Sequence, residues 1–235
     1  MKDRITEMPI VKYARITGVL YLIIIVFGLF SELFVRSSLI DRQNAAETAS
    51  RILESEWLFR MGFASDLIIF LCDVAVAVML YVLLRKASKT GALASAGFRL
   101  TGTAIYGVNL LNYFAALLLL GGAEYLNGLD SGQLNSLAML FLDIHRHGYD
   151  LGLVFFGVHC LFLGYLLYRS GLFPGILGIL MYLAGAGYVL GSFTLFLFPS
   201  LSGAIAPVYI APLVGELALC LYLLIKGARV SNPRE

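Results

Sequence analysis

Leu151-Gly-Leu-Val-Phe-Phe-Gly-Val-His-Cys-Leu-Phe-Leu-Gly-Tyr-Leu-Leu-Tyr-Arg169 carries one histidine and no acid or lysine before it ends on a basic residue. As a helix rising about 1.5 Å per residue it covers most of a hydrocarbon layer about 30 Å thick. Five further stretches read the same way, giving spans at about 15–36, 61–84, 99–121, 148–168, 174–198 and 207–226. Hydrophobic residues make up 60% of the 235 and charged residues 14%, which excludes an ordinary soluble domain. The expected fold is therefore all-α, a single polytopic six-helix domain over 1–235 whose partner is the lipid bilayer.

Basic residues orient it. Lys2, Arg4, Lys12, Arg15, Arg85, Lys86, Lys89, Arg99, Arg169, Lys226, Arg229 and Arg234 all fall on one side of this topology. By the positive-inside tendency that side is the cytoplasm, so both termini are expected inside. The first outer loop also holds Arg36, Arg42, Arg51 and Arg60, offset by Asp41, Glu47, Glu54 and Glu56. The net charge of +2 then reflects topology, and no nucleic-acid partner is expected. The first apolar run is too long for a cleavable signal and is read as an anchor. Cys72, Cys160 and Cys220 lie in spans at different depths and suggest apolar packing, not a disulfide framework.

Polar groups recur at one depth inside these runs. Counted from the basic residue at the cytoplasmic end of each span, His159 lies ten residues from Arg169, Glu216 ten from Lys226, Asp73 twelve from Arg85 and Asn109 ten from Arg99. All four then sit roughly 15–18 Å deep. A charge there is costly unless it faces a partner, a cavity or a ligand, so Asp73, Asn109, Asn112, His159 and Glu216, with Asp66 nearer the outer boundary, form the expected ligand- or proton-binding site. The bland alternative is that these groups hydrogen-bond one another and only hold helices together. Helical stripes Thr17-Tyr21-Gly28-Glu32, Tyr106-Asn109-Tyr113 and Tyr209-Glu216-Cys220 line the same cleft.

Nearer the outer side, Asp143, His147 and Asp150 share a helical face at i, i+4 and i+7, spacing that suits a divalent metal; a solvated helix start is the competing reading. Asp66 and Asp73 share a face of span 2 but lie about 10 Å apart along it, too far for one ion. No cofactor is otherwise evident. Two outer segments, 44–58 and 131–142, have apolar stripes and are expected in the headgroup plane, the first capped by Asn44 and carrying a Glu47/Arg51 pair. Span 5 carries Gly175, Gly178, Gly185, Gly187 and Gly191, a close-packing surface within the chain or between copies in a homo-oligomer. Pro212, one turn before Glu216, is expected to kink span 6. A shift of 84 residues aligns Arg15-x-Thr-Gly with Arg99-x-Thr-Gly, Asp66-Leu with Asp150-Leu, and Tyr81-x-Leu-x-Arg with Tyr165-x-Leu-x-Arg, a weak repeat of helical hairpins that interfacial anchoring alone can also produce.

The runs Arg15-Ile-Thr-Gly-Val-Leu-Tyr21, Ser65-Asp-Leu67 through Cys72-Asp73, Gly107-Val-Asn-Leu-Leu-Asn112, His147-Gly-Tyr-Asp-Leu-Gly152, Phe155-Phe-Gly-Val-His-Cys160 and Gly215-Glu-Leu217 resemble the bacterial membrane family catalogued as domain of unknown function 4386. The resemblance spans nearly the whole chain and implies a six-helix integral membrane protein of bacteria, hence an expected place in a bacterial cytoplasmic (inner) membrane. It supplies no activity and no catalytic residue. Three functions remain in view: binding or transport of a small solute, proton or cation; an intramembrane metal-dependent enzyme; or a regulatory or structural subunit. The lack of a nucleophile motif, a phosphate-binding glycine loop or a cofactor signature weighs against the enzyme.

Overall fold

The computed structural model describes residues 9–229, so Lys2, Arg4 and Arg234 of the basic pattern lie outside the described residues. Among the described residues the chain is all-α, with no strand. Helix α1 (Ile10–Leu29) runs into a π-helical segment (Phe30–Arg36) and the short α2 (Ser37–Leu39); α3 (Ala45–Glu54), α4 (Glu56–Leu84), α5 (Lys89–Leu120), α6 (Ser131–Arg169), α7 (Gly175–Leu197), the short α8 (Ser202–Ile205) and α9 (Ile210–Ile225) follow. Six stretches are long and apolar enough to cross a membrane: Ile10–Leu39, Glu56–Leu84, Lys89–Leu120, Ser131–Arg169, Gly175–Leu197 and Pro207–Ile225. The protein is a multi-pass membrane protein.

The chain divides into two compact units. The first comprises the chain up to Ile23, Cys72–Gly102 and the chain from Leu153; the second comprises Ile24–Leu71 and Thr103–Gly152. Helices α1, α4, α5 and α6 contribute to both, whereas α7, α8 and α9 belong wholly to the first.

In the first unit, missing side chains let helices touch. A Cβ on Gly164 would lie 2.7 Å from the Gly178 carbonyl oxygen, and one on Gly185 2.6 Å from the Gly157 carbonyl oxygen, so α6 and α7 meet backbone to backbone. Farther along α7, Gly187 faces the Val208 carbonyl and Gly191 faces the Tyr209 ring. The span 5 glycines are thus filled by this chain's own neighbours. Pro212 does not kink a helix: α9 begins at Ile210, so the proline sits in its first turn, where a missing N–H costs no intrahelical bond.

The second unit has a conventional apolar core of Val35, Leu39, Ile52, Phe59, Leu110, Tyr113, Ala116, Leu117, Ala138 and Leu142. Tyr113 stacks on Phe59 at 4.0 Å between centroids and donates to its carbonyl at 3.1 Å. Asn44 caps α3 by accepting from the Glu47 N–H, and Arg51 pairs with Glu47 at 2.9 Å. Segment 44–58 is not one helix: it breaks at Ser55, and Trp57, on α4, is 74% exposed.

Segment 131–142 is not a separate surface helix. It forms the first turns of α6, started by a reciprocal cap in which Gln133 N–H donates to Asp130 Oδ1 and Asp130 N–H to Gln133 Oε1. Its stripe buries Ala138 and Leu142 against protein, and no proline interrupts the run that follows. At 39 residues α6 is about 58 Å long, well beyond one hydrocarbon thickness. Helix α5 likewise starts at Lys89, earlier than the expected span 3. That displaces Arg99 from a boundary to a point ten residues, about 15 Å, along the helix, and it puts Asn109 about 30 Å from the helix start.

Candidate functional site

In the first unit, the buried stripe of each helix delivers one polar group to a common point. Thr17 and Tyr21 are among the buried positions of α1; Asp73 continues on α4 into Val76, Ala77 and Leu80; Ala92, Ser95 and Arg99 follow on α5; Phe156, His159, Cys160 and Leu163 follow on α6. The spacing of three and four that buries the alkyl groups buries these polar ones with them.

Arg99 is the centre, with no exposed surface. Its Nη2 donates to Asp73 Oδ1 in a close ion pair. Its Nη1 donates to the Tyr21 hydroxyl at 2.7 Å and meets His159 Nε2 at 3.0 Å. The Tyr21 and Phe156 rings lie over the guanidinium, each centroid 4.9 Å from its central carbon. A guanidinium only donates, so His159 Nε2 must present its lone pair, which leaves the hydrogen on Nδ1. That nitrogen lies 2.9 Å from the Ser95 carbonyl oxygen, its acceptor, with Ser95 Oγ also at 2.9 Å. His159 is here a neutral acceptor that orients Arg99, a different part from the proton or cation partner its position suggests.

Glu216 on α9 accepts a short hydrogen bond from the Tyr188 hydroxyl on α7, and Tyr188 meets Phe156 edge-on at 5.5 Å. The charges of Arg99 and Asp73 both act on Glu216. Beside His159 runs a crevice of about 180 Å³, bordered by Ala77, Leu80, Ala92, Ser95 and Ala96, nowhere wide enough to seat a water molecule.

Asp66, Asn109 and Asn112 belong to the second unit, where each has partners. Ser31 Oγ donates to Asp66 Oδ1 and Arg36 Nη1 to Asp66 Oδ2, both at 2.9 Å, while Arg36 Nε reaches Glu32 at 2.9 Å. The wide π-helical turn changes the phase of the first span, so Ser31 and Val35 are buried and Glu32, expected on the inner stripe, is exposed. Asn109 donates to the His145 carbonyl at 2.6 Å and accepts from Asn112 at 3.1 Å; its amide fills the space a side chain on Gly148 would occupy.

Of the expected metal set, Asp143 pairs with Arg42 at 2.9 Å, and His147 Nδ1 lies 2.8 Å from the Asp143 carbonyl, a bond within the helix. Asp150, Asp143 and His147 do not form a metal-holding group; among the described residues no group of three or more His, Cys, Asp or Glu does. The three cysteines are free, Cys160 and Cys220 buried.

Sequence reasoning passed over Arg99 and Arg36, both taken as boundary charges, and His145. A usable signal existed for Arg99: Lys89 to Gly102 contains no proline, and Ala92, Ser95 and Arg99 fall at helical spacing.

A family model described as "Domain of unknown function (DUF4386)" matches residues 16–227. The chain is also similar to an uncharacterized protein of Archaeoglobus fulgidus, 30% identical over 170 residues, which are 70% of this chain and 83% of the relative. No solved structure matches.

Proposed function

We propose, from the premises that this chain belongs to the DUF4386 family and that the family's description assigns no activity, that it binds and moves a small solute or ion across the membrane. Arg99, Asp73, His159 and Glu216 handle the solute and a coupled proton. The reading rests on one observation above the others, the complete burial of Arg99 beside Asp73 within helices apolar enough to span a bilayer. Ion pairs at that depth are expensive, and hydrophobic replacements usually fold as well or better, so their presence points to work done by the charge. With the basic residues Lys12, Arg15, Arg85, Lys86, Lys89, Arg169, Lys226 and Arg229 turned to the cytoplasm, the protein sits in a bacterial cytoplasmic membrane with both termini inside.

A second reading, an ion pair that only registers the helices, draws support from the narrowness of the crevice beside His159. Proton flux separates the two. Proteoliposomes loaded with a pH dye are given an inward proton gradient with sodium, glycolate or methylammonium salts outside in turn. Transport predicts flux above empty liposomes with at least one salt, cut about tenfold or more in Asp73→Asn and Glu216→Gln when equal amounts of folded, reconstituted protein are compared. Flux equal to empty liposomes with every salt supports the registering role instead.

A further inference from the structure

We infer that one face of α1 in the first unit is a site for an anionic phospholipid, whose phosphate sits between Lys12 and Arg15 and whose acyl chain lies along Ile16 and Val19. The site is separate from the buried cluster and does not depend on whether the protein transports a solute.

The two units treat their surface charges differently. In the second unit Arg36, Arg42, Arg51 and Arg60, four of its five arginines, each meet a carboxylate at 2.7–2.9 Å. In the first unit the eight described basic residues other than Arg99 are all exposed, and none enters an ion pair among the described residues. The described carboxylates of that unit are Asp73 and Glu216, engaged inside by Arg99 and Tyr188, so no acid of the unit is at hand for its surface cations. Contacts within the unit gather several of these cations at one end. A Cβ on Gly91, near Lys89, would lie 3.4 Å from Leu166, near Arg169; one on Gly227, beside Lys226, would lie 2.9 Å from Val11, beside Lys12; and the Arg229 N–H donates to the Leu172 carbonyl at 2.9 Å. In a membrane the anions nearest to such an end are lipid phosphates.

Beside Lys12 and Arg15 there is also room. An open groove of about 330 Å³ is bordered, among the described residues, by Pro9, Val11, Lys12, Arg15, Ile16 and Val19. That lies within the roughly 300–1,000 Å³ of ordinary small-ligand sites. Lys12, Arg15, Ile16 and Val19 follow at i, i+3, i+4 and i+7, so one helical face carries two cations and then two branched aliphatic side chains. Val19 is about 10 Å farther into the span than Lys12 and is half exposed, and Leu22 continues the exposed apolar track. Positive at the boundary and apolar below it is the polarity of a phospholipid, head and chain. A free anion would use only the upper half. The guanidinium offers a flat donor fork and the ammonium a point charge to the two unesterified oxygens of a phosphodiester. The positive-inside tendency accounts for basic residues on one side of the membrane, but not for two of them placed over a groove.

Native mass spectrometry of the full chain in a neutral detergent, titrated with phosphatidylglycerol or with phosphatidylethanolamine of the same acyl chains, tests the site. Wild type should retain phosphatidylglycerol about tenfold more tightly, in keeping with about fivefold per cation at a charged lipid surface. Lys12→Gln/Arg15→Gln should lose that preference, and because both side chains are exposed the variant should fold and melt like the parent. Lys86→Gln/Lys89→Gln, which removes the same charge from other exposed positions of the unit, should keep it. Neither inorganic phosphate nor a hexaglutamate peptide, each in about hundredfold excess, should displace the lipid. Equal retention of the two lipids by wild type overturns the inference, as does an equal loss in both double variants or a loss in neither. Displacement by phosphate or by hexaglutamate also overturns it, in favour of a free anion or an acidic protein partner.

Discussion

Asp73→Ala is expected to destabilise the protein by about 3–5 kcal/mol, because it leaves Arg99 buried with its charge unmatched. The loss is one of charge more than of volume. Tyr21 and His159 remain to accept from Nη1, but neither carries a negative charge to replace the carboxylate. Removing both charges in Asp73→Asn/Arg99→Gln should therefore restore most of the loss, since amide groups can keep a hydrogen bond in the same place without an ion to desolvate. Reversible unfolding in mixed micelles measures both. A double variant as unstable as Asp73→Ala would show that Arg99 contributes through its shape and its aromatic neighbours, not through the pair.

The second large effect is expected at Gly185. Its α-carbon lies against the backbone of α6, and a methyl group there would meet Gly157 O at 2.6 Å and Leu161 N at 2.8 Å. Neither is a flexible side-chain end that can swing away. In Gly185→Leu the two helices have to separate, losing close contact along the Gly164/Gly178 approach as well, at a cost of several kcal/mol, above the roughly 1–3 kcal/mol usual for overpacking. Gly203→Leu makes a fair control, because nothing lies within 4 Å of its added carbon. Melting curves of the two variants should differ sharply. Equal melting points would mean that α6 and α7 do not meet through their glycines.

Much of this architecture was legible in the sequence, for identifiable reasons. The six spans follow from length and apolarity, which the bilayer constrains directly. The Asn44 cap, the Glu47/Arg51 pair and the glycine surface of α7 are local, and local chemistry decided them. The depth argument was weaker because it used basic residues as rulers. Arg85, Arg169 and Lys226 do stand at or just past helix ends, but Arg99 does not. A stretch of small and polar residues from Lys89 to Gly97 has low hydropathy yet continues the helix, so hydropathy started the span ten residues late.

The same error hid the cluster's cation and shifted Asn109 away from the tier assigned to it. Asp73 and His159 lie buried in the first unit and Glu216 half-buried, but the group that joins Asp73 to His159 was passed over. The π-helical turn at Phe30–Arg36 had no sequence signal in a 3.6-residue reading, and it moved Glu32 off the inner stripe and brought Ser31 onto it. Segment 131–142 misled for a related reason, since an apolar stripe on a polar helix looks alike whether lipid or protein covers it.

The central claim is that a cluster now sealed opens to solutes from the membrane's aqueous sides. Ser95 borders the crevice beside His159 and is only 4% exposed, which makes it the best reporter. In a background with Cys72, Cys160 and Cys220 replaced by alanine, Ser95→Cys should react with a membrane-impermeant methanethiosulfonate reagent in intact vesicles, more slowly than an exposed Glu54→Cys control but to completion. A Ser95→Cys thiol that stays inert while the control is fully labelled would contradict the account.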